Sequence, residues 1–333
     1  MRDLAAQLGV NVNTIRAAYA ELERDRLVRT RHGVGTVVQA APPARLPAGI
    51  RPLGVNTVAV LVAGLNPFYL ALLRGIEETA AEQGTLVLIV DTRDSPSLAE
   101  ALLRRLIPRG VDGVIAVSVG GLEKEVQSRD DDRLPPIVYV DQPDRKGHVL
   151  LFDGHAGGYA AAYHLREHGH ERVGIITAPR SSPNVAEVYR GYVDALQGTG
   201  RQSDPSLVAE VDAFTIENGG LGLAHLLEQD YPPSAVFAAG EVLALGALKE
   251  AQARQLDVPA QLALCGYTDS PTATLVQPPL TMVAVPAHEI GTRAMQRLAD
   301  LIQGKTIRPR RTTLPVELIL RDSCGHHSPV RQA

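Results

Sequence analysis

The sequence predicts an α/β fold made of doubly wound parallel sheets in two lobes, preceded by a small helical head. Short apolar runs rich in β-branched residues recur along the chain, reading TVAVLVAG, TLVLIVD, DGVIAVS and PIVYVD, then RVGIITA, SAVFAAG, LALCGY and LTMVAV. Amphipathic helical stretches separate them, and this alternation is typical of parallel sheets covered on both faces. Because the runs form two series, we expect two similar lobes with a ligand between them, at the carboxyl ends of the strands.

Composition and charge set broad limits on the class of protein. The 333-residue chain has a formal net charge of −4, yet its first 39 residues carry six arginines and four acidic residues. A basic head on an acidic body favours local contact with phosphate groups over a body that coats DNA. Two cysteines, Cys265 and Cys324, are too few for a disulfide framework. Since neither a signal peptide nor a membrane-spanning apolar run is visible, we expect a cytoplasmic protein with no membrane partner.

The first 38 residues have the pattern of two short helices followed by a β-hairpin. Gly9 supplies the turn between the helices, and either Asn11 or Asn13 can cap the second helix. The apolar positions at helical spacing are Leu4, Ala5 and Leu8, then Ile15, Ala18, Tyr19 and Leu22. Residues 31–35, RHGVG, form a hairpin tip between two short strands. Helix, turn, helix and basic hairpin together make a DNA-reading arrangement.

The same segment resembles the winged helix-turn-helix of GntR-type bacterial regulators. The shared patterns are R-x-LA-x-x-LGV-N-x-NT, LE-R-D-x-LV and R-x-G-x-GT, in that order. The resemblance implies that the second helix enters the major groove of operator DNA while the hairpin contacts the backbone. The DNA contacts so implied are Arg2, Asn11, Asn13, Thr14, Arg16, Arg31, His32 and Gly33, with Arg29 as a further phosphate contact. Members of that family carry another helix upstream, so we expect either a misassigned or truncated start or an incomplete DNA-binding domain whose first helix is missing.

The predicted domain organisation has four parts. The head covers residues 1–39, and a linker with four prolines covers residues 40–55. Proline fixes φ and lacks an amide donor, so this linker is semi-rigid and extended. A two-lobed effector-binding domain covers residues 56–322, and residues 323–333 form a tail.

From Val55 to about Asp322 the chain resembles the sensor domain of LacI/GalR-type repressors, which is itself similar to periplasmic sugar-binding proteins. The resemblance rests on NPFY at 66–69, VDGVI at 111–115, FDGHAGGYAAAYHLREHGHERVGII at 152–176, RGYVDAL at 190–196, FAAGEVLALGAL at 237–248 and GYTDSP at 266–271. It implies a periplasmic-binding-protein-like body with a sugar-like or other metabolite between the lobes. The combination with a GntR-type head resembles that of the arabinose-type regulators.

Candidate ligand contacts in the first lobe stand at strand ends or helix starts and are Asn66, Phe68, Asp91 and Asp141. In the second lobe the resemblance implies Glu241 and Asp269, at positions where the family carries polar ligand contacts, and Arg190 is a further candidate that could supply a charge. For each of the first four, helix capping or packing is as good an interpretation as ligand contact.

The sugar-binding residues that the resemblance implies are not all present. Val188 stands where the family carries an arginine, and Gly240–Glu241 stands where it carries an Asn-Asp pair. Thr268–Asp269 stands where the family carries an Asp-Asp or Asp-Asn pair, so a hydroxyl replaces one carboxylate. Arg190 or Arg180 is a weak candidate for restoring the missing charge. We therefore expect either a different kind of effector or a site that has lost its binding.

Metal and catalytic chemistry find little support in the sequence. His164 and His168 share a helix face and His170 follows them, but the same segment ends a helix in the LacI-type pattern. Cys324, with His326 and His327, lies in a polar stretch for which tail disorder is the better interpretation. No P-loop, no dinucleotide-binding GxGxxG after a strand and no GxSxG nucleophile motif occurs. We expect no metal, no cofactor and no enzyme.

These observations predict a ligand-responsive transcription regulator, a repressor that binds a two-fold symmetric operator as a homodimer. The alternative is a soluble small-molecule binding protein whose DNA head no longer functions. An enzyme on an α/β scaffold rests on fold analogy alone.

Overall fold

The computed structural model describes residues 9–24, 28–31, 35–38, 56–120, 122, 135–197 and 204–325. The chain divides into a head unit formed mainly by residues 1–53 and a body unit formed by residues 54–107 and 111–333. None of the helices in the described ranges combines the length and apolarity that a bilayer crossing requires.

The head contains helix α1 (Val12–Arg24) and an antiparallel hairpin of β1 (Val28–Arg31) and β2 (Gly35–Val38). Gly9 has a φ of +64°, as the predicted turn requires. Of the two candidate caps, Asn11 starts the helix, because its Oδ1 accepts a hydrogen bond of 2.8 Å from the Asn13 amide. The helix and hairpin predictions are therefore confirmed over these residues.

The predicted apolar face of α1 is only partly buried. Ile15 is buried and Tyr19 is half-buried, whereas Ala18 and Leu22 are exposed. The preceding helix over Leu4–Leu8, the hairpin tip and the linker lie outside the described residues.

The first lobe of the body is built on a six-stranded parallel sheet in the order β13-β7-β6-β5-β3-β4. Its strands are β3 (Thr57–Val62), β4 (Leu86–Asp91), β5 (Gly113–Val117), β6 (Ile137–Val140), β7 (His148–Phe152) and β13 (Arg311–Leu314). All residues of β3 and β5 are buried. These are the near-continuous apolar strands that a sheet covered on both faces requires.

The second lobe is built on another six-stranded sheet, in the order β14-β12-β11-β10-β8-β9. Its strands are β8 (Val173–Thr177), β9 (Val208–Glu210), β10 (Ala235–Ala238), β11 (Ala263–Tyr267), β12 (Thr281–Ala284) and β14 (Glu317–Ile319). Its pairings are parallel except that β14 runs antiparallel to β12. The predicted α/β class with two parallel-dominated sheets is confirmed.

Within the described residues, eight further helices connect or cover these strands. They are α2 (Pro67–Glu82), α3 (Pro96–Leu106), α4 (Gly154–Glu167), α5 (Pro183–Gln197), α6 (Ile216–Leu227), α7 (Glu241–Ala253), the short α8 (Thr272–Leu275) and α9 (Ala287–Ile302). Proline in the first turn and a side-chain cap from Asn66 or Ser95 start α2 and α3.

The chain passes between the lobes three times, which sequence patterns alone do not predict. After β7 it enters the second lobe through α4, and after β12 it returns through α9, which packs on α2. The strands β13 and β14 then add one edge strand to each sheet. The sequence prediction of four strands per lobe missed β7, β9, β13 and β14.

Three helix pairs pack backbone against backbone through glycines. A Cβ atom added at Gly219 in α6 would overlap the carbonyl oxygen of Leu243, and one added at Gly246 in α7 would overlap that of Ile216. The same reciprocal arrangement joins α4 to α5 through Gly158 and Gly191, and α2 to α9 through Gly75 and Gly291. Glycine is therefore required at these positions by close approach.

The predicted tail does not begin at residue 323. Ser323 and Cys324 are buried, at 0% and 1% exposed. The Ser323 hydroxyl accepts a hydrogen bond of 2.8 Å from the Thr281 amide and donates one of 2.6 Å to the Leu264 carbonyl. The interpretation of Cys324 as part of a disordered tail is wrong, because these two residues complete the core of the second lobe.

Gly219→Ala and Gly220→Ala test this packing as neighbours in one helix. Alanine favours helix over glycine by about 1 kcal/mol at either position. At Gly220 the nearest atom to a new Cβ is 3.6 Å away, so Gly220→Ala should raise the free energy of unfolding by up to about 1 kcal/mol. Gly219→Ala should lower it by about 2 kcal/mol, because it overpacks two backbones. Urea unfolding followed by circular dichroism measures the free energy of unfolding of both variants. Equal changes in the two variants would contradict the close approach of α6 and α7 at Gly219.

Candidate functional site

A cleft lies between the two sheets of the body, where strands and helix starts of both lobes meet. Its empty space, including the part open to solvent, is about 760 Å³, a size suited to a small molecule. The lining residues are Asn66, Phe68, Tyr69, Ser118, Asp141, Phe152, Gly154, Asn184, Val185, Val188, Phe214, Ala239, Gly240, Glu241, Val242, Tyr267 and Thr268. The geometry thus matches the expectation of a site at the carboxyl ends of the strands.

Aromatic rings form much of the first-lobe wall. Phe68 stands edge-on to Tyr69 and to Phe152, with ring centroids 5.0 and 5.6 Å apart. Asn66 lines the cleft and also caps α2, since its Oδ1 accepts from the Tyr69 amide at 3.4 Å. Burial raises the pKa of the Tyr69 hydroxyl, so this side chain remains a neutral donor. Capping and cleft exposure, which the sequence presented as alternatives for Asn66, therefore coincide.

Asp141 follows β6 directly and places a carboxylate in the first-lobe wall. Its backbone has a φ of +56°, which few residues other than glycine adopt. Oδ2 accepts hydrogen bonds from the Asn184 amide group at 2.8 Å and the Ser118 hydroxyl at 3.1 Å. Removal from water raises the pKa of Asp141 to about 6 and outweighs these two bonds, which lower it.

Glu241 begins α7 and places a second carboxylate in the second-lobe wall. The residue is only 3% exposed. The Ser270 hydroxyl donates to Oε1, and the Glu241 amide donates to the Thr268 hydroxyl at 3.4 Å. Oε2 is buried and has no hydrogen-bond partner among the residues that the structure describes. Burial raises the pKa of the Glu241 carboxyl, more than the Ser270 hydrogen bond lowers it.

Three of the predicted ligand contacts do not line this cleft. Asp91 accepts a hydrogen bond of 2.8 Å from the Arg93 amide at the end of β4. Arg190 is exposed and pairs with Glu187 at 2.9 Å, one turn earlier in α5. Arg180, the other candidate for a restored charge, pairs with Glu210 and stacks on the Tyr189 ring. The structure brings together Asn66, Phe68, Asp141 and Glu241, and leaves the others outside.

Asp269 is the third residue outside the cleft, and its carboxylate has a different role. It receives two hydrogen bonds from the Arg321 guanidinium, at 2.8 and 2.6 Å, and both side chains are largely buried. Arg321 also donates to the Leu280 carbonyl at 2.6 Å. A bidentate pair of this kind fixes the loop from Thr268 to Ser270, which holds the Glu241 carboxylate. Asp269 therefore positions the wall of the cleft.

Several cleft residues were missed by the sequence analysis. Ser118 directly follows β5, Phe152 ends β7, and Asn184 lies in the first turn of α5. The rule that ligands bind beyond the carboxyl ends of parallel strands identifies such positions once the strands are known. Phe214 lies in a loop that carries no pattern of its own, so no sequence signal marked it.

In the head, the polar residues at the start of α1 are accessible. Asn11, Asn13, Thr14 and Arg16 are all exposed. Arg31 lies at the end of β1, whereas Arg2, His32 and Gly33 lie outside the described residues. The structure therefore presents four of the predicted DNA contacts on one accessible stretch.

The three histidines that the sequence offers as possible metal ligands each have a hydrogen-bonding partner within the chain. His164 Nε2 lies 3.1 Å from the Cys324 sulfur, His168 Nδ1 lies 2.9 Å from the His164 carbonyl, and His170 Nδ1 lies 3.0 Å from the Ser234 hydroxyl. Within the described part of the chain no group of three His, Cys, Asp or Glu side chains is arranged to hold a metal. His326 and His327 lie outside it.

Two protein-family profiles match the chain. The one for a periplasmic binding protein-like domain covers residues 162–324, and the one for bacterial regulatory proteins of the gntR family covers residues 1–38. The second lobe and the head are thus similar to two separate known domains.

Relatives and solved structures extend the similarity over most of the chain. The HTH-type transcriptional repressor CytR of Escherichia coli K12 is 31% identical over 332 residues, covering 97% of this chain and 95% of the repressor. A solved complex of the transcriptional regulator CelR with cellobiose has a TM-score of 0.74 at 31% identity, covering 82% of this chain and 85% of that one. A LacI family regulator from Enterococcus faecium with bound ribose has a TM-score of 0.72 at 26% identity, covering 81% and 98%.

The raised pKa of Asp141 predicts a specific pH dependence of stability. An unfolded aspartate ionises near pH ~4, so the carboxyl of folded Asp141 stays protonated where the unfolded one is already ionised. Its contribution to stability is therefore full below about pH 4 and is lost as the pH rises through about 6.

Asp141→Asn removes this contribution. The free energy of unfolding of the variant minus that of the unchanged chain should increase by about 2 kcal/mol when the pH is raised from ~4.5 to ~7.5. Urea titrations at the two pH values measure it, with the exposed Asp212→Asn as the control for loss of one surface charge. If the free energies of unfolding of Asp141→Asn and of the control changed equally between the two pH values, the raised pKa assigned to the Asp141 carboxyl would be wrong.

Proposed function

Since this chain belongs to the LacI/GalR family of transcriptional regulators, we propose that it binds operator DNA through its head and a small-molecule effector through the cleft of its body. One observation carries the proposal: the exposed polar start of α1, Asn11 to Arg16, stands on the same chain as a cleft walled by both lobes. CytR, whose length this chain nearly spans, is a repressor by name. We infer that the direction of regulation here is repression.

The proposed DNA contacts follow from the chemistry of the exposed residues. Asn13 presents an amide that matches the edge of adenine, and Arg16 presents a guanidinium that matches guanine. Thr14 serves a base or a phosphate, and the basic hairpin supplies contacts to the backbone. Ile15 is buried between them, which orients the polar side chains outward.

The proposed effector site is the cleft, and its role in binding a small molecule is supported by two relatives that were solved in complex with one. Cellobiose is bound in CelR and ribose in the Enterococcus faecium regulator. Here the cleft has aromatic walls and one carboxylate from each lobe. A ligand that contacts both lobes favours one arrangement of the lobes over another, and by linkage ligand and operator then alter each other's affinity by the same factor.

We also propose a cytoplasmic homodimer, because a two-fold symmetric operator is read by two heads. An exposed apolar sheet edge supports the body as its interface: β4 ends the first-lobe sheet with Leu86 and Ile89 exposed by 61% and 47%. Open apolar edges of this kind pair readily with another chain.

Arg16→Ala tests DNA recognition by the head. Loss of one bidentate base contact costs about 1–3 kcal/mol. The affinity of the variant for DNA from upstream of the protein's own gene should therefore fall about tenfold or more. Lys249→Ala, which removes the same charge from the exposed face of α7 in the body, should leave affinity unchanged. Fluorescence anisotropy over a salt series measures both.

Equal affinities of the two variants would exclude Arg16 as a base contact. If the unchanged chain did not prefer its upstream DNA over a scrambled duplex, the regulator proposal would fail for that locus. The chain would then act as a small-molecule binding protein.

A further inference from the structure

Two carboxylates face the cleft, and each has one oxygen engaged by the protein and one oxygen left over. They come from different lobes, Asp141 after β6 in the first and Glu241 at the start of α7 in the second. A ligand that satisfies both must therefore touch both lobes.

Only one of the two oxygens of the Glu241 carboxylate is hydrogen-bonded by the protein. Ser270 donates to Oε1, and the loop that carries Ser270 is fixed by the bidentate pair of Arg321 with Asp269. Oε2 is buried without a partner among the described residues, in a side chain that is 97% buried. An unsatisfied buried acceptor is costly, so it indicates a donor that arrives with the ligand.

The Asp141 carboxylate repeats this arrangement from the opposite wall. Both of its hydrogen bonds, from Asn184 and from Ser118, end on Oδ2. Oδ1 accepts none from the residues that the structure describes. The first lobe thus also offers one acceptor oxygen to a bound molecule.

The walls around these oxygens offer no positive charge. Among the described lining residues Asp141 and Glu241 are the charged ones, and the others are apolar, aromatic or neutral. The arginines outside this lining have other partners: Arg180 pairs with Glu210 and Arg190 with Glu187. Arg311, which borders an adjoining cavity together with Asp141, donates to the Pro143 carbonyl. Burial raises the pKa of both carboxyls, because removal from water disfavours the charged form.

We infer that the effector of this cleft is an organic cation, an amine on an apolar or aromatic body, that is attracted by Asp141 of the first lobe and Glu241 of the second. The rings of Phe68, Phe152 and Phe214 suit the apolar body and add cation–π attraction. An anionic ligand such as a phosphorylated sugar is excluded, because it would meet two carboxylates with no cation to offset them. The inference rests on the proposed effector site and gives that site its chemical class.

Three ligands that share one ring test the charge alone: tyramine with an ammonium group, tyrosol with a hydroxyl and 4-hydroxyphenylacetate with a carboxylate. Isothermal titration calorimetry on the full chain measures their binding, with ribose and cellobiose as neutral polyols. Tyramine should bind at least tenfold more tightly than tyrosol, and 4-hydroxyphenylacetate should not bind. Tyrosol binding as well as tyramine, either polyol binding more tightly than tyramine, or no binding of tyramine would each overturn the inference.

Glu241→Gln separates charge from hydrogen bonding, because glutamine keeps an acceptor oxygen. Tyramine affinity should fall at least tenfold while tyrosol affinity changes less than threefold, and Glu317→Gln, an exposed change in β14, should alter neither. An equal loss for both ligands would mean that Glu241 serves as a neutral acceptor and would overturn the inference. DNA binding measured without ligand is independent of these results, so its failure tells against the proposed function and not against the class of ligand.

Discussion

The three passages of the chain between the lobes are the constraint on which the rest of the body depends. Because α4 leaves the first sheet for the second and α9 returns, the carboxyl ends of both sheets border one cleft. Glycines let each paired helix approach its neighbour backbone to backbone, which leaves little freedom to slide.

The two carboxylates of the cleft are oriented by neighbouring side chains. Arg321 and Asp269, which lie outside the cleft, fix the loop that carries Ser270, and Ser270 orients Glu241. Ser118 and Asn184, which line the cleft themselves, orient Asp141. Support of this kind holds two like charges in an apolar space before any ligand arrives, and that preorganisation lowers the entropy lost on binding.

Periodicity predicted the fold class well, because long apolar strands and amphipathic helices carry strong local signals. It missed β9 and β13, which are short and partly polar, since their pairing depends on distant strands. The same limit applies to the site. Asp141 was predicted from its place at a strand end and Glu241 from the family resemblance. The pairing of Asp269 with Arg321, 52 positions away in sequence, leaves no mark on local pattern.

The most direct test of the account is the coupling between the cleft and the head. Operator affinity is measured by anisotropy with and without saturating tyramine, and tyramine affinity by calorimetry with and without operator. The account predicts that each ligand changes the affinity of the other by the same factor, of about fivefold or more. If the full chain bound both DNA and tyramine and neither affinity changed, the cleft would not control the head, and the account would be contradicted.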